Sequence, residues 1–174
     1  MFENVSSDWR SHGRSWARHG FWIMLLYRFG RWRYGIRSRV LRMPFSFLYK
    51  FLKFWQEALT SVELPCEAVV GRGFTIEHIG AIVVSGDATF GDDCIMRQGV
   101  TVGLRHKEER GSPQIGHRCD IGAGAKLLGP IRIGDDVAIG ANAVVICDVP
   151  SNHYAVGIPA KIGLRKTRAA AESV

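Results

Sequence analysis

Six histidines, four cysteines and one charged loop carry most of the reactive chemistry in this 174-residue chain. A histidine titrates near neutral pH and can take the proton from an attacking hydroxyl, which is otherwise a poor nucleophile. His78 stands in Phe74-Thr75-Ile76-Glu77-His78-Ile79-Gly80-Ala81, directly after Glu77 and fifteen residues after a second carboxylate, Glu63. His12, His19, His106, His117 and His153 have no comparable setting. Cys66, Cys94, Cys119 and Cys147 form no C-x-x-C pair and no His/Cys cluster at metal-ligand spacing. They read as small buried residues in a reducing compartment, without zinc or disulfides. No serine lies in a nucleophile elbow, and no motif marks Cys66 or Cys94 as an acyl carrier. The charged loop, Leu104–Gln114, holds Arg105, His106, Lys107, Glu108, Glu109 and Arg110.

His78, the charged loop and most of the cysteines sit on a six-residue repeat. Ile115, Ile121, Leu127, Ile133, Ile139 and Val145 fall six apart without a break, several of them followed by Gly. Val70, Ile76 and Ile82 share the period, as do Phe90, Met96 and Val102 after a two-residue slip assigned to Ser85–Asp87. A helix would recur at 3.6 and a plain strand at 2. A sustained six predicts a prism, with each hexapeptide giving a short strand and a corner, the apolar residue inward and the Gly supplying backbone freedom at the corner. Three hexapeptides make one coil, and coils stack as parallel strands about 4.8 Å apart. Fifteen residues is close to one such coil, so Glu63 and His78 can meet across adjacent rungs. The period breaks at Leu104–Gln114, and loops inserted into solenoids tend to lie at the binding face.

From about Glu63 to Leu164 the chain resembles the hexapeptide-repeat acyltransferases. The resemblance rests on Gln98-Gly99-Val100-Thr101-Val102-Gly103, on Ile121-Gly122-Ala123-Gly124-Ala125-Lys126-Leu127-Leu128-Gly129, and on Val156-Gly157-Ile158-Pro159-Ala160-Lys161-Ile162. It looks most like the serine O-acetyltransferase branch, and closer still to short relatives that O-acetylate exopolysaccharide building blocks. The resemblance implies a mainly β fold, a left-handed parallel β-helix with a short α-helical front, and direct acetyl transfer from acetyl-CoA without an acyl-enzyme or a metal. It implies His78 as the general base and Glu63 as the acid that orients it, although the family usually carries Asp there. A carboxylate on one ring nitrogen fixes the tautomer and stabilises the imidazolium. It gives Glu77 an acceptor contact, a solvated rim acid being the other reading. It puts the pantetheine arm along Gly103, Ala123 and Ala141, and the phosphates near Lys161, Arg165 and Lys166. The serine enzymes place an Arg-His pair just before the Pro-x-Ile that re-enters the helix. Here Gly111-Ser112 precede Pro113-Gln114-Ile115, leaving Arg105 and Arg110 as the cations near the acceptor. An L-serine carboxylate is then poorly supported, and a sugar hydroxyl fits better.

The remaining sixty residues differ in kind. Residues 1–60 hold 11 Lys/Arg against 3 Asp/Glu and 15 of the 18 aromatics, whereas residues 61–174 hold 12 against 13. The organisation predicted is a basic aromatic helical segment at 1–60, the β-helix at 61–164 and a tail at 165–174. Phe21–Tyr34 and Phe45–Trp55 both read as helices separated by Pro44, and neither approaches the ~20 uncharged residues of a membrane span. Capping or joining solenoids and lying in a membrane interface are the competing readings for this front, while nucleic acid lacks any groove-reading motif. The short front favours a homotrimer over the hexamer of the serine enzymes. No basic n-region precedes an apolar core at the start, so a cytoplasmic protein, peripheral at most to the inner membrane face, is expected. A non-catalytic β-helix scaffold is the alternative of another class.

Overall fold

The computed structural model describes residues 2–106, 108 and 111–165. Three helices, α1 (Phe2–Ser11), α2 (His19–Arg33) and α3 (Arg39–Thr60), precede the strands. The first coil is β1 (Val62–Glu63), β2 (Val69–Val70) and β3 (Thr75–Ile76). The second is β4 (Ile82–Val84), β5 (Thr89–Phe90) and β6 (Ile95–Met96), and the third β7 (Thr101–Gly103), β8 (Gln114–Ile115) and β9 (Asp120–Ile121). The fourth is β10 (Lys126–Leu128), β11 (Arg132–Ile133) and β12 (Ala138–Ile139), followed by β13 (Val144–Val145), β14 (His153–Val156) and β15 (Lys161–Leu164). Parallel pairing builds three faces: β1-β4-β7-β10-β13, then β2-β5-β8-β11, then β3-β6-β9-β12-β14 with β15 added antiparallel.

Two positions per strand turn inward. Leu64, Val84, Val102, Leu127 and Val145 are buried on the first face, and so are Val62, Ile82, Val100, Ala125 and Ala143 two residues earlier. The core is therefore a column of stacked aliphatics. The corner glycines do a different job from the one the repeat suggested. Gly91, for example, does not need a left-handed φ; a Cβ there would meet the Gly116 carbonyl carbon at 2.7 Å, so it is close stacking of corners that excludes a side chain. Positive φ falls two residues later, on Asp93, Arg118, Asp136 and Asn142 among others. Cys66, Cys94 and Cys119 are buried free thiols, but Cys147 is exposed, because it follows Val145 at a corner where the chain turns outward.

The first coil has no rung below it, and unpaired strand edges are costly when buried. Helix side chains take the place of that rung. Tyr27 Oη donates to the Ala68 carbonyl at 2.7 Å and accepts from the Val70 N–H at 3.1 Å. Arg28 Nη1 donates to the Val70 carbonyl at 2.8 Å and Nη2 to that of Gly71. Gln56 donates to the Val62 carbonyl at 3.0 Å, and the Ile76 N–H donates to His12 Nε2 at 3.3 Å. Arg28 is itself held by Asp8, with Nε to Oδ2 at 2.8 Å, and both are buried. Gly20 lets α2 approach, since a Cβ there would lie 2.1 Å from the Ile76 carbonyl oxygen.

Two features of the front differ from expectation. Helix α1 is not set apart by the sequence within the helical segment expected at 1–60; Asp8 holds it through Arg28, and Trp9 packs on Trp16 and Phe21. Pro44 does not separate the helices but lies inside α3. The break falls at residues 34–38, and Ser38 caps α3, its Oγ accepting from the Leu41 N–H at 3.4 Å. Pro44 is tolerated because the carbonyl it leaves without a donor belongs to Val40, which is exposed and open to water.

Replacing Arg28 with Ala strands a buried Asp8 and frees two strand carbonyls. We expect a loss of about 3–5 kcal/mol, read as a fall in melting temperature of roughly 10 °C by circular dichroism. His12 gives a second test. Its Nδ1 donates to the Asp8 carbonyl at 2.7 Å while Nε2 accepts, so the buried ring is neutral. Burial lowers its pKa below the ordinary histidine value, outweighing the Asp8 carbonyl. The unfolded chain thus binds the extra proton first. The contribution is complete above about pH 6.5 and is lost as pH falls through the lower folded value. Melting temperature should drop between pH 7.5 and 5.5, and His12→Gln should flatten that drop.

Candidate active site

His78 lies at the corner between β3 on the third face and β4 on the first. In the coils above, this corner follows one pattern. The Gly124 N–H donates to the Gln98 carbonyl at 2.8 Å, and the Asn142 N–H to that of Ala123 at 2.8 Å. In the lowest coil the Gly99 N–H donates instead to the Gly80 carbonyl at 2.8 Å, while Ile76 stays in register with Met96. Gly80 therefore occupies the place of Gln98, Ala123 and Ala141. The two residues added to the repeat are His78 and Ile79 themselves. The slip assigned to Ser85–Asp87 belongs here, because Val84, not Ile82, pairs with Val102 and continues the period. Sequence alone could not decide this, since both Ile82 and Val84 point inward. Ile79 packs against the core and His78 is exposed. The chain recovers through two left-handed residues, Gly80 at φ +118 and Ala81 at φ +49. Gly80 can adopt that conformation because it lacks a Cβ.

Glu63 is exposed on β1, in register with Val83 on the first face. It and His78 flank the same corner from adjacent coils, and neither side chain makes a hydrogen bond or ion pair among the described residues. Glu77 is committed elsewhere. Its Oε2 lies 2.7 Å from Arg97 Nε, and Arg97 also pairs with Asp120. The Asp120 and Glu77 carboxylates raise the Arg97 pKa further, so this cation is fixed. Sequence reasoning missed Arg97. The signal was there: a cation one coil above Glu77, at a position where later coils carry Gly122 and Gly140.

Above His78 the third face carries a groove of ≈ 370 Å³ lined by Arg97, Asp120, Ala123, Ala141, Tyr154 and Val156 among others. Ala123 and Ala141 share it. Gly103 does not; it ends β7 at the next corner, opposite Leu128. Lys161 pairs with Val156 across the β14–β15 hairpin and so sits beside the groove. Arg165 lies at the other end of β15, donating from Nη1 to the Asp136 carbonyl at 3.2 Å. Arg105 is exposed in the loop after β7, at the corner that also holds Gly103, a full face away from His78. Arg110 and Lys166 lie outside the described residues. The loop's exit is pinned: buried Ser112 donates from Oγ to Ser85 Oγ at 2.8 Å. Among the described residues, no cluster of three His, Cys, Asp or Glu is placed to hold a metal.

A coil of hexapeptides with one histidine-bearing enlarged corner defines a class. Residues 112–147 match the profile of the bacterial transferase hexapeptide family (six repeats). A serine acetyltransferase of Synechococcus elongatus is 38% identical over 93% of this chain and 68% of that protein. An Escherichia coli (strain K12) protein, provisionally named a colanic acid biosynthesis acetyltransferase, is 32% identical over 87% of this chain and 95% of its own. Among solved structures, Neisseria gonorrhoeae serine acetyltransferase superposes with a TM-score of 0.80 at 28% identity, covering 99% of this chain and 70% of that one. The serine acetyltransferase of Brucella abortus in complex with coenzyme A does so at 0.80 and 26% identity, covering 94% and 68%. The chain belongs to the hexapeptide-repeat acyltransferase family, its prism is the left-handed parallel β-helix of those relatives, and it is an acyltransferase.

Deleting His78 and Ile79 together restores the six-residue spacing of the neighbouring coils. The variant should fold, with a melting temperature within about 4 °C of the parent, a difference near 1 kcal/mol. A collapse of the circular dichroism signal would mean that these residues are part of the regular rung.

Proposed function

We propose that the protein is an acetyl-CoA-dependent O-acetyltransferase acting on a sugar hydroxyl of a cell-surface polysaccharide precursor, with His78 as general base. The observation that carries this reading is the corner itself. The fold spends two extra residues there to present one histidine, at the foot of a groove walled by Ala123 and Ala141. His78 takes the proton of the acceptor hydroxyl as its oxygen attacks the thioester carbonyl. The tetrahedral intermediate then expels the coenzyme A sulfur, which leaves with that proton. Glu63, on the adjacent rung, orients the ring once acceptor and donor close the site. Lys161 beside the groove meets the coenzyme phosphates.

Assembly follows from placement. Within one protomer the Arg105 loop and Gly103 lie at a different corner from His78, Ala123 and Ala141. They complete one site only when the corner of a second protomer is brought alongside, which supports a homotrimer with sites at its boundaries.

Two features favour a neutral acceptor over L-serine. Glu77, the acid beside His78, is already ion-paired with Arg97, which holds its carboxylate away from an incoming ammonium group. At the loop exit, Gly111-Ser112 stand where the serine enzymes carry an Arg-His pair, and buried Ser112 is tied to Ser85. L-serine is the second reading, favoured by the names of the relatives at 37–38% identity. Release of coenzyme A measured against L-serine and against nucleotide- and lipid-linked sugars separates the two. Turnover is expected with a sugar acceptor; turnover with serine alone overturns the sugar reading. His78→Ala should lower kcat by roughly 10²-fold or more with its melting temperature unchanged. A variant within twofold of the parent removes His78 from the role of base.

A further inference from the structure

Helix α3 is built inside out. Its buried or half-buried side, against the rest of the protein, is the polar one: Arg42, Ser46, Tyr49, Lys53, Gln56 and Thr60. Its apolar side covers roughly half the circumference and faces away, where Phe47 is 76% exposed, Phe54 65% and Leu59 76%. Phe51, Leu52 and Trp55 continue the same face. A groove of ≈ 520 Å³ between α2 and α3, lined almost wholly by apolar side chains including Trp22, Leu25, Phe29 and Leu48, opens onto it. A contiguous apolar face left exposed on a folded domain marks a partner.

The surrounding charge selects the partner. Residues 1–60 carry 11 Lys/Arg and 3 Asp/Glu. Two of those three acids are already neutralised within the protein, Asp8 by Arg28 and Glu57 by Lys53. Arg39 and Lys50 are exposed on α3 itself, flanking the apolar face, and Arg37 is exposed just before the helix. A second copy docked face to face would bring these like charges together. No helix among the described residues is long and apolar enough to cross a bilayer. We infer that α3 lies flat in the surface of an anionic membrane, with its aromatic face among the acyl chains and the flanking cations on lipid phosphates. The α3 C-terminus at Thr60 is three residues from Glu63, so docking holds the candidate active site close to the bilayer. If the sugar reading above is right, the acceptor comes lipid-linked; the binding itself does not depend on that reading.

The test is co-sedimentation of the full chain with phosphatidylcholine vesicles and with vesicles of phosphatidylcholine and phosphatidylglycerol at about 7:3. The parent should pellet with the anionic vesicles, and its binding should fall at least about tenfold on neutral vesicles or in roughly 0.5 M salt. Phe51→Asp with Trp55→Asp should abolish pelleting, as should Arg39→Glu with Lys50→Glu, each with an unchanged melting temperature. Equal pelleting of the parent and both variants overturns the proposal. So does a parent that stays in the supernatant while the Phe51/Trp55 variant, and not the parent, sediments as a smaller species, since the face is then covered by a second copy.

Discussion

A stack of parallel coils has to begin somewhere, and its lowest rung faces either water or a substitute for the missing strand. This protein supplies the substitute from side chains. Tyr27, Arg28, His12 and Gln56 reach the exposed carbonyls and amides of β1, β2 and β3, and Asp8 holds Arg28 in place for the purpose. Almost everything else follows from that arrangement. It fixes α1 and α2 across the prism end, and it leaves α3 in contact through Tyr49, its polar side and the Phe45 ring against Phe29 and Trp32. It also keeps the first coil in register up to the corner where His78 leaves the repeat. The buried Arg28–Asp8 pair is tolerated because each guanidinium nitrogen that is removed from water finds an oxygen, on Asp8, Val70 or Gly71.

Scaffold and candidate chemistry are separated by a simple device. The rungs are determined by inward aliphatics and by corner glycines that admit no Cβ, and Ile139, Gly122 and Gly140 also form the floor of the groove. The candidate base is added between rungs as His78 with Ile79, one side chain outward and one inward. Ile79 anchors the excursion to the core, Gly80 and Ala81 return the chain to register, and the coil above closes over it unchanged. Arg97 then locks the neighbouring carboxylate. A site built in this way can vary in its acceptor without any change to the core.

The six-residue period was legible because stacking forces it on the sequence, and it correctly announced the prism, its faces and the inserted loop. Less legible was the phase of the first coil. Ile82 and Val84 are both aliphatic and both inward, so only pairing with β7 shows which belongs to the repeat, and the slip was placed one corner late. The role of the glycines was misread for a related reason, since a sequence shows that a side chain is absent but not whether conformation or contact excludes it. Helix α1 was not separable within the helical segment expected at 1–60, because its hold on the protein combines one buried charge, Asp8, with one ring, Trp9, packed on Trp16 and Phe21. Phe45–Trp55 read as a helix, but which of its sides faces the body is settled only by the burial of Tyr49 and the half-burial of Gln56. For the site, His78 and Glu63 were identified by resemblance to a family. Arg97 required two coils to be superposed.

At the far end, the chain reverses. Strand β15 runs antiparallel to β14, the one such pairing among the described strands, and its edge is what a newcomer would meet. A parallel coil from another molecule cannot continue the ladder on an edge of the opposite polarity, and at the other end the helices occupy the docking positions. Two closed ends make the prism a terminated polymer. Cross-β filaments grow because each added layer recreates the surface it bound to. Here neither surface is recreated, so a repeat that is periodic along its whole length remains finite.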